Sequence, residues 1–184
     1  TVVWSAWDHF PFDPDFEVDS DGSWCHANAL DIDLDRGVYQ VSLRNFGAIV
    51  EIDRTTGDQL RVIGGAWSDY TLDDGSADLF AWQHQFQVLD DGLLVFDNDT
   101  ADVRDSRAVE YGLDGTVATP VWEFHADPPL FTPALGDVQR MGNGNTRVSW
   151  SSSGQLDEVA PDGEVVWRLR TQMAAGFGFT EWVE

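Results

Sequence analysis

The chain has no lysine. Its ten basic residues are all arginines, set against 33 aspartates and glutamates, for a net charge of −23 over 184 residues. That balance argues against nucleic acid as a partner, because phosphate binding needs clustered cations. An anionic membrane surface is disfavoured for the same reason. The acids are scattered through turns rather than gathered in a tail, as in a solvated coat that keeps a protein in solution. A saline habitat would favour the same composition. Cysteine is almost absent as well. Cys25 alone permits no disulfide within the chain and no cysteine-based zinc site. Its place beside His26 in an apolar-looking stretch predicts a buried structural thiol rather than a nucleophile. No apolar run approaches the ~20 residues of a membrane span. No basic, apolar leader opens the sequence at Thr1. Helical periodicity never persists beyond a turn or two, which leaves β structure to bury the 42% of residues that are hydrophobic.

What is present is repetition. Three units share one order of four short strands. The first strands are His26–Asp31, His84–Leu89 and Gly136–Met141; the second are Val38–Leu43, Leu93–Phe96 and Thr146–Trp150. Third come Ala48–Asp53, Ala108–Tyr111 and Gln155–Val159, and last Gln59–Ile63, Pro120–Phe124 and Val165–Leu169. The turns between them carry Asp-Gly, Asn-Gly or Thr-Gly-Asp, where glycine supplies the positive φ of a tight hairpin. First strands begin 58 and then 52 residues apart. Four antiparallel strands at that spacing mark the blades of a β-propeller, with a β-sandwich as the competing architecture. The expected fold class is therefore all-β, a partial propeller of about three blades spanning 23–65, 80–125 and 135–170. Residues 1–8 and 176–184 are expected to be strands of flanking blades. A ring needs at least ~4 blades to close, so a second copy of the chain or a missing half of the wheel would have to complete it.

In a propeller the first strand of each blade lines the central channel. His26 and His84 open successive first strands, so a shared role at one channel mouth is the favoured reading over two separate structural histidines. His9 and His125 have no such equivalence. Arg44, Arg104 and Arg107 fall near the same mouth, and planar guanidinium forks suit an oxyanion such as sulfate. The competing role for Arg44 and Arg107 is pairing with the many aspartates. Glu17–Gly22 imitates the start of a calcium loop, but Asn28 stands where the bidentate carboxylate should be. Ser151-Ser152-Ser153-Gly154 reads as a turn, not a nucleophile elbow. The tryptophans recur at blade edges and read as core.

Several of these segments resemble the arylsulfotransferase family: Trp24-Cys25-His26-Ala27-Asn28-Ala29-Leu30, Val41-Ser42-Leu43-Arg44-Asn45, Ile52-Asp53-Arg54-Thr55-Thr56-Gly57, Trp82-Gln83-His84, Phe96-Asp97-Asn98 and Ser106-Arg107-Ala108-Val109-Glu110-Tyr111. Gly136-Asp137-Val138-Gln139, Gly142-Asn143-Gly144-Asn145 and Asp162-Gly163-Glu164-Val165-Val166-Trp167 continue the likeness over nearly the whole chain. The resemblance implies a six-bladed wheel of which this is the C-terminal half. It implies export to the periplasm or the extracellular space, and transfer of a sulfuryl group between phenolic compounds through a channel histidine, with no cofactor and no metal. It implies His26 with Asn28 and His84 as channel residues, and Arg104, or failing it Arg107, as sulfate clamp. It also implies a nucleophilic histidine on the inner strand of the third unit, where this chain has Gly136. His84 or His26 then takes that role, the missing half supplies it, or the transfer chemistry is lost. In the last case the chain is a non-catalytic propeller binding an anion or a protein partner, or an assembly module joined through exposed strand edges.

Overall fold

The computed structural model describes residues 2–12, 22–99, 104–171, 177 and 180. The chain divides into two compact units, Thr1–Leu79 and Phe80–Glu184. Unit one holds a helical turn α1 (Ala6–His9) and four strands, β1 (Ala27–Asp33), β2 (Val38–Leu43), β3 (Ala48–Asp53) and β4 (Gln59–Ile63), paired antiparallel in the order β1-β2-β3-β4. Unit two holds two more such sheets. One contains β5 (Phe86–Leu89), β6 (Gly92–Asp97), β7 (Arg107–Asp114) and β8 (Val117–His125); the other contains β9 (Asp137–Arg140), β10 (Thr146–Trp150), β11 (Gln155–Val159) and β12 (Val165–Arg170). Each sheet is a meander in which neighbours in sequence are neighbours in space. This is the all-β, three-blade partial propeller that the repeat predicts.

The turn residues explain why the strands reverse where they do. Asp53 Oδ1 accepts hydrogen bonds from the backbone N–H of Thr55 and Thr56 at 2.7 and 2.8 Å. Asp33 receives Arg36 N–H at 2.8 Å, Asn143 receives Asn145 N–H at 3.0 Å and Asp162 receives Glu164 N–H at 3.1 Å. These side chains take up backbone donors that a tight turn leaves exposed. Gly57, between β3 and β4, is at φ +79°, and a Cβ there would sit 2.2 Å from the Val3 carbonyl oxygen.

In unit two, Phe96, Ala108 and Phe124 of one blade and Val138, Val148, Trp150 and Val159 of the other form a single buried core. Strands β6 and β10 are buried along their whole length. The burial of Arg147 on β10 is compensated by Asp137, whose carboxylate accepts from it at 3.1 Å. In unit one the core gathers Phe10, Trp24, Leu43, Phe46, Val50 and Val62.

Three expectations need correcting. Val2–Trp7 does not form an outer strand: among the described residues it pairs with no sheet, and Ala6–His9 closes a helical turn. The reason is aromatic docking. Trp4 stacks on His9 at 5.3 Å, and Phe10 packs on Phe46 and Trp67 at 5.3 and 5.0 Å, so side chains rather than backbone bonds attach this segment. The tryptophans are not uniformly core: Trp24 and Trp150 are buried, but Trp7 and Trp167 are exposed. Cys25 is only half-buried, on the wall of a cavity. The strand expected at 176–184 lies outside the described residues, except for Phe177 and Thr180, as does most of the Glu17–Gly22 stretch.

Candidate functional site

The three residues expected to open the inner strands stand just ahead of them. His26 is at φ 47° and Gly136 at φ 110°, backbone shapes that cannot continue a strand. His84 follows Trp82, itself at φ 53°. The described non-glycine residues with positive φ are His26, Trp82, Asp99, Arg104 and Leu135. His26 and Arg104 are predicted site residues, Trp82 and Asp99 lie in loops that hold His84 and Arg104, and Leu135 precedes Gly136. Such conformations cost on the order of 1–3 kcal/mol apiece and persist where surrounding contacts enforce them.

His84 is the best-defined member. It is buried, and its Nδ1 lies 3.0 Å from Asn98 Oδ1 and 3.1 Å from the Trp82 carbonyl oxygen. The orientation of the Asn98 amide is fixed independently. Its Nδ2 donates to the carbonyl oxygens of Thr132 at 2.6 Å and Leu135 at 2.7 Å. Carbonyls only accept, so nitrogen must face them, and the amide oxygen must face His84. Both neighbours of His84 Nδ1 are thus acceptors. The neutral ring carries its proton on Nδ1 and its lone pair on Nε2. Asn98 was legible in the sequence only as part of an Asp97-Asn98 pair closing an apolar strand.

Asp97, next to it, stitches the loop together. Its Oδ1 accepts from the backbone of Ala81 at 3.0 Å and Asp99 at 3.1 Å, and its Oδ2 accepts from Arg107 Nε at 3.0 Å. Burial drives the Asp97 pKa above the ordinary carboxylate value, and these bonds only partly oppose it. Arg107 also donates to Glu123 at 3.1 Å and to the Tyr111 hydroxyl at 3.4 Å. Its guanidinium is therefore committed to protein groups supporting the loop. Burial pushes the Tyr111 hydroxyl up to about 12.

Arg104 has a different setting. Blades one and three join their second and third strands by a 3₁₀ turn and a glycine at residues 44–47 and 151–154. The second blade inserts residues 98–106 at this point. Arg104 stands in that insertion, exposed, with its guanidinium 5.0 Å over the Phe131 ring. The Thr132 carbonyl that orients Asn98 is the next residue along. One segment, 131–135, therefore carries both the platform for Arg104 and the anchors of the His84 partner.

Gly136 has a steric explanation. A Cβ at this position would lie 2.2 Å from Phe96 Cδ1, inside the buried ring. Its N–H donates to Ser151 Oγ at 3.1 Å and its carbonyl accepts from Gln85 N–H. The third unit has no room for a histidine there.

In unit one, the His26 carbonyl accepts from Arg44 N–H at 3.0 Å, which sets the two residues side by side at the end of the β1–β2 pair. Asn28 occupies the β-bulge where the register shifts between Ala27 and Ala29. Arg44 Nη1 donates to Asn45 Oδ1 at 3.0 Å, and Asn45 Nδ2 in turn donates to the carbonyls of Ser23 and Trp24. A cavity of about 560 Å³ opens here, lined by Trp7, Phe12, Trp24, Cys25, His26 and neighbouring backbone. His9 is exposed on α1, and His125 at the end of β8 pairs with Asp105 at 3.0 Å. Among the described residues no group of three or more His, Cys, Asp or Glu could hold a metal ion, and no helix is long and apolar enough to cross a membrane.

Solved structures share the fold at low identity. Hydrazine synthase of Kuenenia stuttgartiensis matches at 11% identity and TM-score 0.53, over 84% of this chain and 37% of that one. Virginiamycin B lyase of Staphylococcus aureus matches at 13% identity and TM-score 0.51, over 86% and 49%. A protein of unknown function from Bacteroides caccae matches at 17% identity and TM-score 0.50, over 88% and 48%. The chain thus spans less than half of each of these proteins. No curated protein sequence matches significantly. The family model for arylsulfotransferase (ASST) matches residues 2–173, and with nearly its full length covered the chain belongs to the arylsulfotransferase family.

Proposed function

We propose that this chain contributes to a sulfuryl-transfer site in which His84 Nε2 is the attacking atom, an aryl sulfate the donor and a phenol the acceptor. The observation that carries this reading is the pair of acceptors at His84 Nδ1, Asn98 Oδ1 and the Trp82 carbonyl, which favour the proton on that nitrogen. A neutral imidazole oriented in this way offers its Nε2 lone pair as a nucleophile. Attack on sulfur forms an N–S bond and breaks the S–O bond to the ring, releasing a phenolate. The acceptor hydroxyl then takes the sulfuryl group back from nitrogen, and its proton passes to solvent or to the released phenolate. Arg104, held over Phe131, is suited to donate to the equatorial sulfate oxygens as charge builds on them. The six-bladed ring and export from the cytoplasm belong to the same proposal.

The test is release of 4-nitrophenol from 4-nitrophenyl sulfate by the full-length protein with phenol as acceptor. Turnover is expected, with a sulfuryl adduct on His84 in mass spectra. His84→Ala should abolish both, and Arg104→Ala should lower kcat/KM by about 10²-fold. Unchanged turnover in His84→Ala would overturn the assignment. Absence of both turnover and adduct would favour the non-catalytic, anion-binding propeller.

A further inference from the structure

Near the Asn98 amide sits a buried hydroxyl that the reaction scheme does not use. Ser106, like Asn98 and Thr132, is fully buried. Its Oγ donates to the Asn98 carbonyl oxygen at 2.8 Å and accepts the Thr132 backbone N–H, also at 2.8 Å. The Thr132 carbonyl lies 3.5 Å away, too far to compete for the single hydroxyl proton. The Ser106 N–H donates to the Leu130 carbonyl at 3.2 Å. Asn98 and Ser106 are the first and last residues of the insertion in the second blade, so this hydroxyl closes the insertion at its base. Across from it runs the segment 131–135, which carries the ring under Arg104 and the two carbonyls that orient the Asn98 amide. Asn98 is thereby held twice, at its backbone carbonyl by Ser106 and at its side-chain amide by Thr132 and Leu135. Thr132 takes part in both holds, because its N–H goes to Ser106 and its carbonyl to the amide.

We infer that Ser106 is a positioning residue: its hydroxyl sets the register between the His84–Asn98 pair and the Phe131 platform of Arg104. The hydroxyl is engaged as donor and as acceptor at once, which fixes its rotor. It joins two segments that are distant in sequence, and each bears on a different member of the site. With all three residues sealed from solvent, bulk water has no access to take over a lost bond. Without the hydroxyl, the insertion and the segment facing it lose their common reference, and small displacements are costly where a nucleophile and a clamp must meet one group. The consequence for turnover rests on the proposed sulfuryl transfer; the consequence for the His84 ring does not.

Two variants of the full-length protein test it: Ser106→Ala, and Ser106→Cys, whose thiol is close in shape but a weak donor and acceptor. Val159→Ala, which opens a cavity in the core of the same unit, controls for lost stability. Long-range ¹⁵N–¹H spectra of the neutral His84 ring should show a smaller share of Nδ1-protonated imidazole in both Ser106 variants than in the unaltered protein. Val159→Ala should leave that share unchanged. With 4-nitrophenyl sulfate and phenol, kcat should fall about tenfold in both Ser106 variants while KM stays within about twofold, because a loosened site still binds substrate but fits the transition state less well. Val159→Ala should keep the parental kcat. If Ser106→Ala does not fold, the cysteine variant decides. Parental His84 spectra in the Ser106 variants would overturn the inference whatever the kinetics, as would an equal spectral change in Val159→Ala. Absence of turnover in the unaltered protein counts against the sulfuryl-transfer reading alone, and the spectra then judge Ser106.

Discussion

The proton on His84 is placed by Asn98, and Asn98 is placed by two carbonyls more than thirty residues further along the chain. This chain of dependence makes a measurable prediction. Long-range ¹⁵N–¹H spectra of the neutral imidazole should show Nδ1 protonated and Nε2 bare. Asn98→Leu should weaken that preference, leaving the Trp82 carbonyl as acceptor, and cost about 2–4 kcal/mol in denaturant unfolding, because two carbonyls lose their donor and the imidazole N–H loses one of its two acceptors in a dry site. Gly136 makes a second prediction. Gly136→Ala combines a strained backbone with a Cβ driven into the Phe96 ring, so it should lose about 2–4 kcal/mol, read from the same unfolding curves. Stability within 1 kcal/mol of the parent, on the order of experimental scatter in such series, would show that the ring moves aside. The sequence marks Gly136 only as a departure from the family pattern; the ring that forbids a side chain there comes from another blade, and no local pattern reports it.

At the scale of strands, the first and third blades share a device. Glu51 on β3 faces Arg61 on β4, and Asp157 on β11 faces Arg168 on β12. Both acids are fully buried. Glu51 accepts from Arg36 at 2.9 Å, from Gln40 at 2.8 Å and from Arg61. Asp157 accepts from Arg168, from Gln155 at 2.8 Å and from Trp150 Nε1 at 3.0 Å. The second blade has Val109 facing Glu123 at the matching place, and that glutamate turns to Arg107 instead. Burial alone would raise the Glu51 pKa, but the hydrogen bonds from Arg36, Arg61 and Gln40 prevail and hold it below the ordinary 4.5. A depressed acid contributes stability that is present above its unfolded value and is lost as pH falls through its folded value. Glu51→Gln should therefore lower the thermal midpoint at neutral pH, by the equivalent of about 3 kcal/mol for a broken buried pair. The gap to the parent should close in acid, below the ordinary 4.5. A gap that persists unchanged in acid would refute the ion-pair account. Asp97 and Asp137 have the opposite sign. Burial, the largest cause in each, raises their folded pKa, so their contribution is greatest in acid and declines as pH rises through the folded value.

For the molecule as a whole, the dominant fact is its charge. With 33 acids against ten arginines, self-repulsion works against the compact state. Ions that screen it should stabilise the fold, and the thermal midpoint should climb as sodium chloride rises from ~0.01 to ~1 M, where the screening length shrinks from about 30 to 3 Å. A midpoint that falls over that range would mean the paired acids, not the solvated ones, dominate. Charge, turn chemistry and strand alternation are local properties, and they sufficed for the broadest conclusions. The three four-stranded blades follow from residues close together in sequence. What folding alone decided is where distant residues meet. Val2–Phe10 docks by its aromatic rings instead of pairing as a strand, because Trp24 receives Trp7 while Phe46 and Trp67 receive Phe10. Arg107 is bonded to Asp97 and Glu123, while Arg104 rests on Phe131. The His84 proton, the crowding at Gly136 and the aromatic cavity beside His26 depend on contacts across loops and blades. A sequence read by its local periods carries the strands; chemistry at the site is set by side chains that only the packed sheets bring within hydrogen-bonding distance.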